Sequence, residues 1–99
     1  MPEAKNYLEE EVRGELERLL QRWVEVCKCG QCRADIMAFT LNRLPAKYVV
    51  SESGRLFTKA EVKKLGFRND IIKALTDAMR TVTSKPHHHL TENKQKEDT

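Results

Sequence analysis

Cys27, Cys29 and Cys32 are the chain's three cysteines, and they fall within one six-residue stretch. That spacing constrains the fold more than any other feature. Three thiolates this close can converge on one ion if the backbone turns between them, and Gly30 lies where such a turn is needed. Soft sulfur ligands in a reducing compartment select zinc. A structural zinc site takes four ligands, and Pro86-His87-His88-His89 offers imidazoles for the last position. The sequence therefore predicts a structural Zn2+ cofactor held by Cys27, Cys29, Cys32 and one of His87, His88 and His89. Such an ion would close the 55-residue span from Cys32 to His87, and closing a long loop stabilises most in principle. Three thiolates and a dication leave one negative charge, which Lys28, Arg33 and Lys85 are placed to offset. Two other readings stay open. Cys27 packs as an apolar side chain in one of them. In the other, Cys29 and Cys32 form a redox pair, although the βαβ setting usual for such a pair is missing.

A staple suits this composition. With 99 residues, 39% of them hydrophobic and 33% charged, the chain makes one domain with a lean core, and lean cores lean on metals or partner subunits. Residues 1–90 read as the domain, and residues 91–99, which hold no apolar side chain, as a disordered polar tail. No apolar run reaches the length of a membrane span, and the acidic N-terminal segment does not read as a secretory leader, so the expected location is the cytoplasm.

The periodicity predicts an all-α fold of four helices with one short extended or hairpin element. Leu8, Val12, Leu16, Leu19, Leu20, Trp23, Val24 and Cys27 recur at steps of three and four, predicting one long helix over 5–27. Gly14 inside it marks either a close backbone crossing or a tolerated surface glycine. A second helix is expected over 33–44, ended by Pro45. Tyr48-Val49-Val50 with Ser53-Gly54 reads as extended structure and a turn within 47–57. Thr58 and Glu61 form a capping box for a short helix ending at Gly66. The last helix is expected over 69–84, capped by Asn69 or Asp70, with Ile71, Ile72, Leu75, Ala78, Met79 and Val82 on its apolar stripe.

Catalysis finds no support. A catalytic zinc needs an open position and a general base, and the H-x-E and P-C-x-x-C strings of thiolate-zinc deaminases do not occur. Neither a phosphate-cradling loop nor a nucleophile–base pairing is visible, so the chain reads as a non-enzyme. Its charge is uneven: net −3 over residues 1–27 and +7 over 28–90. That asymmetry suits self-association or an anionic ligand.

Several strings together carry a resemblance. Lys5-Asn6-Tyr7 opens the acidic helix, the cysteine triplet follows, and then comes Asp35-Ile36-Met37-Ala38-Phe39-Thr40-Leu41-Asn42-Arg43-Leu44-Pro45-Ala46-Lys47-Tyr48-Val49. With Ser84-Lys85-Pro86-His87, these resemble the late competence protein ComFB family over about residues 4–90. The resemblance implies a small, mostly helical homodimer with one zinc per chain, acting in signalling linked to competence or motility. It also implies a receptor for a cyclic dinucleotide, cyclic di-GMP or cyclic di-AMP. Members with the triplet can carry a fourth cysteine near the C-terminus; here a histidine must replace it.

For such a ligand, Arg43, Lys47 and Arg55 are candidate phosphate partners, Asn6 and Asp35 candidate readers of base edges, and Tyr48 a candidate stacking surface. Local roles compete: Asp35 satisfying backbone groups, Tyr48 in the core, Arg43 covering a helix end. The apolar stripe and the extended element, left partly uncovered in a monomer, also predict a homodimer. The alternative function is a protein-interaction adaptor with structural zinc, an unknown protein partner and no small ligand. Nucleic-acid binding ranks last, because few aromatics interleave the basic residues.

Overall fold

A computed structural model of the chain describes residues 3–64 and 66–84. Four helices and a two-stranded antiparallel ladder run in the order β1 (Lys5–Asn6), α1 (Leu8–Leu20), α2 (Gly30–Leu41), β2 (Tyr48–Val49), α3 (Glu52–Lys64) and α4 (Phe67–Ser84). The all-α class and the count of four helices agree with the sequence. No helix among the described residues is long and apolar enough to cross a membrane.

The core forms where the apolar stripes meet. Leu8, Val12, Leu16 and Leu20 of α1 repeat every fourth residue and are buried. Cys32, Ile36 and Thr40 do the same on α2. The stripe of α4, Ile71, Leu75, Ala78, Met79 and Val82, packs chiefly against α2 and also against α1 and α3. Burying these three stripes against one another is the main stabilising term in a domain this small.

Four expectations need correction. Helix α1 stops at Leu20 instead of Cys27. The amides of Arg22 and Trp23 both turn back to the Leu19 carbonyl, and the chain continues in turns. Val24 and Val26, both β-branched, alternate in burial here: Val24 is 80% exposed while Val26 lies in the core. Helix α2 starts at Gly30 and ends at Leu41, earlier at both ends than expected; turns carry the chain from Leu41 through Leu44 to Pro45.

The third correction is the hairpin. Residues 52–57 are helical, and β2 pairs with the N-terminal β1, Lys5 opposite Val49 and Asn6 opposite Tyr48. Ser51 supplies the start signal for α3. Its hydroxyl accepts the Gly54 amide at 3.0 Å and its carbonyl accepts the Arg55 amide at 2.9 Å. A side chain at Gly54 would put its Cβ 3.2 Å from that hydroxyl, so the cap uses the bare backbone. The expected capping box is thereby overruled, and Thr58 and Glu61 lie inside α3. Fourth, α4 starts at Phe67, before Asn69 and Asp70.

Gly66 closes α3 as anticipated, with a left-handed φ of 68°. Gly14 resolves to the plain reading, since an added Cβ would meet only the end of Arg18, at 3.9 Å.

The two ends of this arrangement are tied by polar contacts. The Asn6 side-chain oxygen accepts from the Leu8 amide at 3.1 Å and the Lys47 amide at 2.9 Å, while Tyr7 donates its amide to the Lys47 carbonyl at 2.7 Å. Across the bundle, the buried Glu15 carboxylate accepts from Arg68 at 2.8 Å and Arg18 at 3.2 Å. Burial alone would raise the Glu15 pKa, but the two guanidiniums outweigh it and hold the carboxyl below its ordinary value.

Candidate metal centre and ligand groove

The unwinding after Leu20 and the early start of α2 together make the thiol cluster. Cys27 ends the turns, Cys29 is the N-cap of α2, and Cys32 lies on its first turn. The Cys29 sulfur accepts the Cys32 amide at 3.4 Å. All three Sγ atoms lie within 4.8 Å of one another. Gly30 has no positive φ, so the turn is made by the extended backbone of Cys29 (ψ 166°) and not by glycine.

The two ends of the Cys29-x-x-Cys32 step differ electrostatically. The donated Cys32 amide stabilises a Cys29 thiolate and lowers its pKa. Burial pushes the Cys32 thiol up to about 12, and its thiol neighbours add to that. A buried thiol of that kind gives up its proton readily only to a cation bound beside it. Tetrahedral zinc, with bonds of about 2.3 Å to sulfur, sets its ligands about 3.8 Å apart. Closing the present cluster onto an ion needs movements of about an ångström, so the three cysteines can hold a metal ion.

Lys28 and Arg33 stay beside the cluster but are engaged elsewhere. Lys28 donates to the Trp23 carbonyl at 3.2 Å, and Arg33 to Glu17 and to the Lys28 carbonyl. His87, His88 and His89, Lys85 and the 91–99 tail lie outside the described residues. Thr83 and Ser84 at the end of α4 share a groove with Trp23 and Val26, in the turns that precede Cys27.

Of the six candidate ligand residues, Asn6, Lys47 and Tyr48 meet at the β1–β2 junction. Asn6 has its side-chain oxygen committed to the β1–β2 junction. Arg55 forms a two-pronged pair with Glu10, both bonds at 3.0 Å, and a third bond to Glu52. The Glu10 carboxylate raises its pKa. Asp35 accepts from Gln31 at 3.0 Å, one turn away. Tyr48 is 67% exposed.

Arg43 and Lys47 each lie over an aromatic ring. The Arg43 guanidinium stacks 4.1 Å above the Phe39 ring, and the Lys47 ammonium lies 5.9 Å from the Phe67 ring. A groove of about 300 Å³ is lined by Arg43, Phe67, Asp70, Lys73 and Asp77. Lys73 and Asp77 were not singled out from the sequence, and Asp70 was read there only as a helix cap. The one local hint was the four-residue step from Phe39 to Arg43; the rest depends on packing of α2 against α4.

Fold and site together define a small helical protein organised around a thiol knuckle. The profile of the late competence development protein ComFB matches residues 5–86, and the chain belongs to that family. Among solved structures it is similar to the late competence protein ComFB from Bacillus subtilis, with 25% identity and a TM-score of 0.69 over 85% of this chain and 92% of that one. No curated protein sequence matches the chain.

Proposed function

We propose that this chain is a non-catalytic signalling protein in competence or motility control: a zinc-stapled homodimer that binds a cyclic dinucleotide. The observation that carries the ligand reading is the Arg43–Phe67 groove. Arg43, Lys47 and Lys73 supply cations for two phosphodiesters, Phe67 an aromatic face for a base, and Asp70 or Asp77 an acceptor for the N–H edge of guanine. The zinc reading is supported by the three converging sulfurs, with the fourth ligand drawn from His87, His88 or His89. The dimer reading is supported by Tyr48, Val50, Leu56 and Phe57, large apolar side chains on β2, α3 and the link between them that are 52–67% exposed. A two-fold pairing buries such a patch against its own copy.

Isothermal titration of the full chain with cyclic di-GMP and with cyclic di-AMP tests the ligand. Binding to one of them, lost in Arg43→Ala and Lys73→Ala, is the expected result. Absence of heat with both sinks the receptor reading. The same exposed patch favours a second reading, an adaptor that docks another protein there, which requires the purified chain to be monomeric.

A further inference from the structure

Among the described residues, four arginines are held by carboxylates: Arg18 and Arg68 by Glu15, Arg33 by Glu17, and Arg55 by Glu10 and Glu52. Arg22 and Arg80 enter none of these pairs. Both are exposed, and both line one groove of about 640 Å³. Trp23, Val26 and Met79 supply the apolar part of its lining, and Glu25 is its one acidic residue. Trp23 packs on the core yet is only partly buried, and Val24, next along the chain, is 80% exposed. The turns that present Trp23 and Val26 are bonded in place. The amides of Arg22 and Trp23 return to the Leu19 carbonyl, and the Lys28 ammonium donates to the carbonyls of Trp23 at 3.2 Å and Val26 at 3.4 Å.

We infer that this groove docks an acidic segment of another protein, with one large apolar side chain seated against Trp23 and flanking carboxylates paired with Arg22 and Arg80. Charge complementarity chooses this occupant. Two arginines and one glutamate leave the lining at net +1, so it favours incoming carboxylates, while Glu25 limits how many it accepts. A guanidinium with no acid already on it offers its two-pronged geometry directly; one already paired must first be released. The apolar lining fits the same occupant. Tryptophan and arginine dominate the energetics of protein interfaces, and methionine adapts its shape to the side chain it meets. A volume of 640 Å³ falls within the range of about 300–1,000 Å³ that encloses a compact ligand, so the occupant is a short anchor and not a broad domain face. The groove shares no lining residue with the Arg43–Phe67 groove, so the inference stands apart from the cyclic-dinucleotide reading.

Trp23 is the chain's single tryptophan, so its emission reports this groove. The probes are two displayed libraries of short peptides, each with a central phenylalanine or leucine, flanked by glutamates in one library and by lysines in the other. Both are selected against the full chain, and recovered peptides are titrated while Trp23 emission is followed. The glutamate library should be enriched and the lysine library should not. Recovered peptides should shift Trp23 emission and bind more weakly as salt is raised. Arg22→Glu and Arg80→Glu should each weaken binding about ten-fold or more, with circular dichroism confirming helicity. Arg13→Glu, which reverses an exposed charge of α1 outside the groove, should stay within about two-fold of the parent. No enrichment from the glutamate library overturns the inference. So does equal enrichment from both libraries, or binding that ignores Arg22→Glu and Arg80→Glu. Displacement of the peptide from Trp23 by cyclic di-GMP or cyclic di-AMP overturns it by assigning the groove to the nucleotide. A dimer that Arg80→Glu converts to monomer in light scattering overturns it by assigning the groove to a second copy.

Discussion

Asn6 is where a ligand-reading role and a structural role separate most cleanly, and Asn6→Ala is the perturbation that separates them. Its side-chain oxygen satisfies two amides that are 39 residues apart, those of Leu8 and Lys47. Leu8 is fully buried, so its amide has no water to turn to once the acceptor is gone. Losing a partner for a buried donor costs about 1–3 kcal/mol, and the bond to the half-buried Lys47 adds about 0.5–1.5 kcal/mol. The expected loss is therefore roughly 2–4 kcal/mol, which lowers the melting temperature of a domain this size by something like 10–25 °C. Thermal unfolding followed by circular dichroism measures it. Asn6→Asp keeps the acceptor and should recover much of the loss, less whatever repulsion Glu9, Glu10 and Glu11 impose nearby. A melting temperature within two or three degrees of the parent for Asn6→Ala would refute the argument that these two bonds hold the N-terminal junction.

Other outcomes follow from the same geometry. Cys29→Ser should leave well under one zinc per chain by metal analysis and lower the melting temperature sharply, whereas chelator should leave a metal-free redox protein unchanged. Single His87→Ala, His88→Ala and His89→Ala variants should divide into one that loses zinc and two that keep it. The Glu15 carboxyl titrates below its ordinary 4.5 in the folded protein. Its pairing with Arg68 and Arg18 thus contributes fully above that pH and is lost as the pH falls through the folded value. Glu15→Gln should accordingly flatten the acid limb of stability against pH, and an unchanged limb would remove Glu15 as its source. Phe57→Asp should convert a dimer to a monomer in light scattering while leaving helicity intact.

What the sequence disclosed was local, and what it hid was not. The i, i+4 stripes of α1, α2 and α4 were legible because each helix buries one continuous face. Gly66 was legible because its left-handed turn is a one-residue requirement. The first turns of α3, Glu52 to Phe57, were misread because the helix buries only Val62 and exposes Leu56 and Phe57, which erases the helical rhythm. The β-branched Val49-Val50 pair and the Ser53-Gly54 dipeptide then suggested a hairpin, while the Ser51 cap went unnoticed. The cysteine cluster was readable for the same reason as the stripes, since three ligands within six residues need only one turn. The groove beside Arg43 was not, because Phe67 and Lys73 reach it from a helix that begins 24 residues later. Arg55 looked available until Glu10, 45 residues away in sequence, was found holding it.

The pairing of β1 with β2 also sets an order of events during synthesis. Lys5 and Asn6 leave the ribosome before their partners, and the first pair able to close, Asn6 with Tyr48, is separated by 42 residues. At about 5–20 residues per second, the first strand waits roughly 2–8 seconds before its partner exists. Throughout that interval the acidic start of α1 has no anchor at Lys47. A fusion partner joined ahead of Lys5 would occupy the space beside this late-closing seam. Placing the same partner after the tail leaves the seam clear, and the two fusions should differ in the yield of folded protein for a reason that is kinetic in origin.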